Sequence, residues 1–367
     1  KAGLNLFHSF CLIQNGFFIL SKRQFFIEMQ NKINLGIIGK NFGYNVIYKS
    51  FLKNKNYKII GFSFKSEKFE KIKIPKGIKI YSNWKNLILD KKIDAIAIAV
   101  PPILHKNILK FAIKNNKNIF CEKPLTSSFK EASLICNLIK KKKISHMVNY
   151  EFANIDAFNF FKRKISHNIK INKIYLNWFI NMNKRPDNSW KENHSKGGGI
   201  FFNYICHAIY YMEFLFGKII CVNTNTLLKK EANIKTLKGK VIFKNGLSAK
   251  LDIRVGSIKH KITPIHQLKI LSREKNYVLE TELNSLSDQF KLMACDKKFN
   301  KKMKILYKSR KNKNDFRIKP TLKNSKKFYN WIIKGKMQTP NFFVAKRIHL
   351  IINKMILSSK MGKKIYI

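Results

Sequence analysis

The first half of the chain alternates short apolar runs with amphipathic stretches. The apolar runs predict strands at 34–38, 58–63, 95–99, 118–121 and 146–149. Stretches with helical periodicity lie between them, at 44–52, 104–115 and 128–141. Because parallel neighbours need crossover connections, strands that alternate with helices predict an α/β fold with a doubly wound parallel sheet.

The pattern changes after residue 151. Strands are predicted at 174–179, 236–243, 247–255 and 267–271, and the run from Ala249 to Val255 alternates strictly between apolar and polar side chains. Asn245-Gly246 between two of these strands is a strong hairpin signal. Helical patterns cover 201–216, 322–334 and 344–360. This half therefore predicts an α+β region with a mostly antiparallel open sheet.

A glycine-containing turn follows the first predicted strand. Gly39, Asn41, Phe42 and Gly43 lead from the strand into the first helical pattern. Glycine lets a backbone approach a pyrophosphate, and a helix N-terminus offers N–H donors. The spacing departs from G-x-G-x-x-G, because Asn41 and Tyr44 stand at its second and third glycine positions. An ordinary strand-to-helix turn explains the pattern equally well.

Two further predicted strands end in residues that carry chemistry. One strand runs into Val100-Pro101-Pro102 and then His105, and the next delivers Glu122-Lys123-Pro124. Ligands of open α/β sheets bind beyond the carboxyl ends of the strands, so both segments are expected to face one crevice.

A third group lies in the second half. Gly197, Gly198 and Gly199 precede Asn203 and His207, which stand four residues apart on a helical pattern and so share one face. The glycines permit close approach of the backbone to a substrate.

In order and spacing, Gly36-Ile-Ile-Gly39, the 99–105 and 122–124 segments and the 197–207 group resemble the Gfo/Idh/MocA oxidoreductase family, over residues 31–367. The resemblance implies an enzyme that passes a hydride between a hydroxyl carbon of a sugar, polyol or nucleotide sugar and a nicotinamide dinucleotide. It also implies a Rossmann domain at 29–150 and a substrate-binding and oligomerisation domain at 151–367, with the C-terminal segment returning to the first domain.

The same resemblance assigns catalytic roles to Lys123, Asn203 and His207. Lys123 would orient the reacting hydroxyl and exchange a proton with it, helped by a cis bond to Pro124, and His207 would accept the proton. The family often has Asp where Asn203 stands and an acidic residue where Tyr210 stands. Asn can fix an imidazole tautomer or bind a sugar hydroxyl, but it cannot stabilise an imidazolium by charge. The plainer alternatives are a surface lysine and a core histidine.

Cofactor choice depends on the end of the second strand. No acidic residue stands there to accept ribose hydroxyls, whereas Ser63, Lys65 and Ser66 can hold a 2′-phosphate, so NADP is expected, with NAD as the alternative. The full set of expected cofactor-binding residues is Gly39, Asn41, Phe42, Gly43, Ser63, Lys65, Ser66, Val100, Pro101, Pro102, His105, Glu122 and Lys123. For His105 a plain helix-start role is the alternative.

Around the substrate we expect Tyr150, Arg185 and Trp190 beside Asn203 and His207, although packing is the commoner fate of a Trp.

Charge changes this picture little. The formal net charge is +54, but Lys accounts for most of it along the whole length, and only eight of the 74 basic residues are Arg. Nucleic-acid recognition favours Arg and clusters its basic residues, so solvated faces are the preferred interpretation of the lysines. No nucleic-acid or membrane partner is expected. A basic nucleic-acid-binding protein and a catalytically impaired dinucleotide-binding protein are the alternatives to the dehydrogenase. The field could draw anionic substrates towards the crevice.

The protein is also expected to be cytoplasmic, to form a homo-oligomer and to bind no metal. The six Cys include no C-x-x-C pair and no His cluster at metal-ligand spacing, which favours reduced thiols. The apolar stretch from Leu4 to Leu20 is too short and too interrupted to span a membrane. Residues 1–28 are interpreted as a non-native or disordered extension, with Met29 as the native start; a signal peptide is the alternative, although no small-residue cleavage site stands out.

Overall fold

The computed structural model describes residues 32–64, 74–165, 169–181, 189–229, 233–256, 266–281, 290–296, 302–309 and 315–367. Three predicted site residues, Lys65, Ser66 and Arg185, lie outside these ranges, and so does the 1–28 segment.

The first half forms a six-stranded sheet in which every neighbouring pair is parallel. Its strands are β1 (Ile33–Ile38), β2 (Tyr57–Ser63), β3 (Lys79–Tyr81), β4 (Ala95–Ile98), β5 (Asn118–Glu122) and β6 (His146–Asn149). The spatial order β3-β2-β1-β4-β5-β6 is that of a dinucleotide-binding sheet. The predicted parallel sheet is confirmed. The short strand β3 was missed because three residues carry no readable periodicity.

Helices cover both faces of this sheet, so its strands are apolar on both sides. The helices of this half are α1 (Lys49–Leu52), α2 (Trp84–Leu89), α3 (Pro102–Lys114) and α4 (Phe129–Lys140). Along β4, Ala95 and Ala97 belong to one core cluster, while Ile96 and Ile98 belong to the other. The helix predicted at 44–52 is only partly α-helical, because Gly43–Tyr48 forms a π-helical turn before α1.

The second half forms a nine-stranded sheet. Its strands are β7 (Ile171–Asn181), β8 (Ile219–Lys229), β9 (Asn233–Phe243), β10 (Ser248–Gly256), β11 (His266–Ser272), β12 (Lys275–Thr281), β13 (Lys291–Asp296), β14 (Lys304–Lys308) and β15 (Ile365–Tyr366). The order is β14-β13-β12-β11-β7-β10-β9-β8-β15, and among the described strands of this second sheet only the β7–β10 pair is parallel. The predicted antiparallel character is confirmed.

The hairpin signal in this sheet is also confirmed. Gly246 has φ of +83°, and Phe243 N donates to Leu247 O over 2.8 Å where β9 turns into β10. The sequence analysis missed β8, whose apolar residues are interrupted by Asn and Thr, and the short strands from β12 onward.

Four α-helices complete the described part of this half. They are α5 (Asp156–Ile165), α6 (Cys206–Phe216), α7 (Ile318–Lys334) and α8 (Phe342–Met361). A π-helical turn, Phe201–Ile205, precedes α6. In the part of the chain that the structure describes, no helix combines the length and the apolar character that a membrane span requires.

Helix α7 packs against the parallel sheet, as the resemblance implied. Ser50 Oγ donates to Ile318 O over 3.1 Å, and Tyr57 OH donates to Ser325 O over 3.0 Å. Asn54 Nδ2 donates to Ser325 Oγ over 2.9 Å. These bonds join residues far apart in sequence and hold the C-terminal part of the chain beside α1 and β2.

Candidate active site

The turn after β1 requires glycine at its first position. Gly39 has φ of +128°, and a Cβ built on it would lie 2.2 Å from the carbonyl oxygen of Ala99. Its N–H donates to Ser63 O over 2.9 Å. The ends of β1, β2 and β4 therefore meet around one residue without a side chain, which leaves backbone at the carboxyl edge of the sheet. In this turn Asn41 is exposed and Phe42 is half-buried.

His105 ties together the two loops that follow β4 and β5. Its ring is fully buried, with Nε2 at 2.9 Å from Val100 O and Nδ1 at 3.0 Å from Pro124 O. A buried ring with these partners is not open to a ligand. His105 therefore holds the backbones of these two loops in place.

Lys123 reaches from the parallel sheet to the other half of the molecule. The Lys123–Pro124 bond is cis, and Lys123 Nζ donates to the backbone oxygen of Asn203 over 3.0 Å. Asn203 lies in the π-helical turn one turn before His207. The ammonium and the segment that carries the imidazole thus meet at one place.

The glycine triplet packs closely against two other segments of the chain. A Cβ on Gly197 would lie 2.6 Å from Pro102 Cβ, and one on Gly198 would lie 2.0 Å from Trp190 O. Gly197 and Gly199 also have positive φ values, +78° and +69°. The close approach is therefore to the loop after β4 and to the 189–193 segment.

The side chain of Asn203 does not contact the imidazole. Its Nδ2 donates to Lys191 O, so the expected tautomer-fixing role is not the one the structure shows. The cause is the π-helical turn, in which positions four residues apart do not share a face as they do in an α-helix.

The imidazole of His207 instead faces Glu151. Nδ1 of His207 lies 3.9 Å from Glu151 Oε2, both side chains are buried, and neither atom has a hydrogen-bonding partner among the described residues. Burial, followed by the charges of Lys123 and Arg317, holds the pKa of His207 well below its ordinary value. The imidazole is therefore neutral near pH 7 and able to accept a proton.

Glu151 was missed by the sequence reasoning, although a signal was present. It is the second residue after the end of β6, and the ends of neighbouring parallel strands meet at one edge. Burial raises the pKa of Glu151, while Lys123 and Arg317 oppose that shift.

Glu122 contributes a second buried carboxyl. Burial and the neighbouring Glu151 raise the pKa of Glu122 to about 8. Asn149 Nδ2 donates to its Oε1 over 2.6 Å. Burial and the neighbouring charges thus set the pKa values of two carboxyls beside Lys123.

Arg317 brings a further cation from the start of α7. It binds Asp315 through both Nε and Nη2, at 2.9 and 2.6 Å, and its guanidinium lies 4.8 Å from the ring centre of Phe42. Its charge acts on both Glu122 and Glu151. Sequence could not find Arg317, because it comes to the glycine turn from the opposite end of the chain.

Tyr150 has a core position. It is fully buried, its ring stacks on Tyr210 with 5.1 Å between centroids, and its hydroxyl has no hydrogen-bonding partner among the described residues. Tyr150 also meets His207 edge-on at 6.0 Å. The buried hydroxyl of Tyr150 beside the imidazole still needs a hydrogen-bonding partner.

The other predicted residues are less informative. The side chain of Ser63 is buried, so it is not open to a ligand, and Trp190 is half-buried. Within the described ranges, no group of three or more His, Cys, Asp or Glu side chains is arranged to hold a metal ion.

The parallel sheet with its glycine turn and the charged cluster at its carboxyl edge define a dinucleotide-binding oxidoreductase fold, and comparison with known proteins agrees. Residues 33–150 match a family model described as an oxidoreductase family with an NAD-binding Rossmann fold. Residues 165–255 match the model of that family's C-terminal alpha/beta domain. The chain belongs to the Gfo/Idh/MocA oxidoreductase family, as the resemblance indicated.

Relatives within the family differ in activity. Levoglucosan dehydrogenase of Pseudarthrobacter phenanthrenivorans is 30% identical over 149 residues, which are 39% of this chain and 38% of that protein. The 2,7-anhydro-N-acetylneuraminate hydratase of Escherichia coli is 25% identical over 135 residues, 36% of each chain. The chain spans half or less of the length of most curated relatives it matches.

Solved structures share the fold across nearly the whole chain. A levoglucosan dehydrogenase in complex with NADH and levoglucosan superposes with a TM-score of 0.76, covering 91% of this chain and 99% of its own. Its sequence identity is 17%, so this likeness concerns the fold.

Proposed function

We propose that the protein is an NAD(P)-dependent oxidoreductase that transfers a hydride between a nicotinamide cofactor and a hydroxyl carbon of a sugar, polyol or nucleotide sugar. The observation that carries the proposal is the contact of Lys123 Nζ with the backbone of Asn203, beside the buried His207. It gathers an ammonium and a neutral imidazole at the carboxyl edge of a dinucleotide-binding sheet.

The residues of the glycine turn fit a dinucleotide. Gly39 leaves no side chain between the strand ends, and Gly43 is buried at the start of the π-helical turn. Backbone N–H groups of this turn would hold the pyrophosphate, and the loops of Val100 and Glu122 would flank the nicotinamide. When bound, the cofactor accepts or supplies the hydride.

The chain's own residues handle the proton. Lys123 orients the reacting hydroxyl by donating a hydrogen bond to its oxygen. His207, neutral because it is buried, accepts the hydroxyl proton. Glu151 stabilises the resulting imidazolium by charge, a task that the amide of Asn203 cannot perform.

NADP is the cofactor we favour. Ser63 is buried, so Lys65 and Ser66 are the candidates for a 2′-phosphate, and the second strand offers no carboxylate for ribose hydroxyls. Replacement of Lys65 by Asp should lower the affinity for NADPH and leave that for NADH unchanged or improved. An unchanged preference for NADPH would contradict this choice.

The sugar class rests on the relatives named above, one of which acts on levoglucosan. We further propose that the enzyme works in the cytoplasm as a homo-oligomer joined through the nine-stranded sheet. Edge strand β14 exposes Ile305 and Leu306, with 57% and 38% of their surface accessible. Exposed apolar residues on an edge strand need covering.

A catalytically impaired dinucleotide-binding protein is the alternative, and the amide of Asn203, committed to Lys191 O, favours it. Steady-state turnover separates the two. The intact protein, assayed with NADP and a panel of sugars, polyols and nucleotide sugars, should turn over, and Lys123→Ala and His207→Ala should lose at least about a hundredfold in kcat. Dinucleotide binding without turnover on any of these compounds would favour the alternative.

A further inference from the structure

A second cleft lies between α5, α7 and β14, and the proposed chemistry makes no use of it. Its volume is about 620 Å³, within the range of small-molecule sites. Four cations line it, Arg163 from α5 and Lys323, Lys326 and Lys327 from α7, against one carboxylate, Asp156. Phe160 and Tyr307 form an apolar wall, stacked with 5.3 Å between their centroids.

The carboxylate in this cleft is already committed. Asp156 Oδ2 lies 2.6 Å from Lys319 Nζ, and its Oδ1 binds Lys323. Lys327 has only a neutral partner, because Asn154 Oδ1 lies 3.2 Å from its Nζ and no carboxylate of the described residues is within 4 Å. Burial, followed by the charge of Lys323, lowers the pKa of Lys327. A partly buried ammonium without a counter-ion is costly unless an anion joins it.

A chain of buried amides fixes the orientation of Asn154. Asn149 donates through Nδ2 to Glu122 Oε1 and accepts at Oδ1 from Asn324 Nδ2 over 3.0 Å. Asn324 Oδ1 then accepts from Asn154 Nδ2, over 2.5 Å. Because each amide donates from one end and accepts at the other, Asn154 must present its oxygen to Lys327. The position of that ammonium is thereby set from the interior, which distinguishes it from the many solvated lysines of this chain.

We propose that the α5–α7 cleft is a binding site for the phosphate group of a small phosphorylated ligand. Lys326 and Lys327 supply charge-assisted hydrogen bonds, and the Phe160–Tyr307 wall receives the organic part. The site is separate from the dinucleotide turn, and it stands whether or not the chain oxidises a sugar. The amide chain also joins it to Glu122, next to Lys123.

The test is isothermal titration calorimetry of the full chain with inorganic pyrophosphate, at physiological ionic strength and with saturating NADPH to fill the dinucleotide turn. Lys327→Gln should raise the dissociation constant about tenfold or more. Because Lys326 is exposed, Lys326→Gln leaves the fold intact. It should raise the dissociation constant about threefold or more. Lys334→Gln removes the same charge from the exposed end of the same helix and should change it less than about twofold.

Saturable binding that only the two cleft variants weaken supports the site. Equal weakening by all three variants would show attraction to the bulk charge alone and overturn the proposal. Heat without saturation in the wild-type protein would overturn it as well.

Discussion

Glu151 Oε2 lies 3.9 Å from His207 Nδ1, and each of these buried atoms has no hydrogen-bonding partner among the described residues. Glu151 follows β6 of the parallel sheet, and His207 lies in α6, so the pair spans the junction of the two halves. The carboxylate stands where an imidazolium would need its charge. Glu151 thus supplies the carboxyl group that the amide Asn203 lacks.

Replacing Glu151 by Gln tests this role. We expect kcat to fall about tenfold, with KM within about twofold, because the charge acts on a proton-transfer step. Glu274→Gln changes an exposed carboxylate and is the control. An unchanged kcat in Glu151→Gln would contradict the role.

Gly39→Ala tests the turn after β1. The added Cβ would meet Ala99 O at 2.2 Å, in a backbone conformation that L-residues rarely adopt. We expect dinucleotide affinity to fall at least about tenfold, and stability to fall by about 1–3 kcal/mol. Gly77→Ala is the matched control, because Gly77 also has positive φ, +90°, yet a Cβ there meets nothing within 4 Å. Fluorescence titration with NADPH measures the affinity. Equal losses of affinity in both variants would argue against a specific role of the Gly39 turn in dinucleotide binding.

The amide chain predicts a cost for Asn324→Ala. The substitution leaves Asn149 Oδ1 and Asn154 Nδ2 buried without their present partner. Each unsatisfied group costs about 1–3 kcal/mol, so for the two groups urea unfolding should show a loss of about 2–6 kcal/mol. Asn330→Ala, on the exposed face of α7, should lose less than about 0.5 kcal/mol. Similar stability of the two variants would argue against the chain.

Buried histidines should make the protein acid-sensitive. Burial lowers the pKa of His349 to about 3, and neither of its ring nitrogens has a partner in the described part of the chain. Below the unfolded value of about 6.5 the unfolded chain binds a proton that the folded one does not, so the free energy of unfolding falls as pH drops. His349→Leu should reduce that slope by about 1.4 kcal/mol per pH unit between pH 6 and 4. Urea unfolding at several pH values measures it, and an unchanged slope would contradict the assignment.

Sequence periodicity predicted the parallel sheet well because its strands are buried on both faces and bounded by turns. His146–Asn149 was predicted with the same bounds that the structure has, and Ser128 caps α4 one residue before its start at Phe129. The π-helical turns at Gly43–Tyr48 and Phe201–Ile205 could not be predicted, because their periodicity resembles that of an α-helix.

At the site, residues attached to strand ends could be predicted and those brought by long-range packing could not. Lys123 was predicted from its place after β5, and the same rule applied to β6 would have found Glu151. Arg317 and Asn324 reach the crevice only because α7 packs back on the parallel sheet. Nothing local in the sequence signals that return.

A crystal structure with bound NADPH tests the central claim most directly. The account predicts the pyrophosphate at the Gly39 turn and the nicotinamide ring between Lys123 Nζ and the imidazole of His207. A dinucleotide bound elsewhere, or a ring with neither group facing the space where a hydroxyl must sit, would contradict the proposed oxidoreductase chemistry.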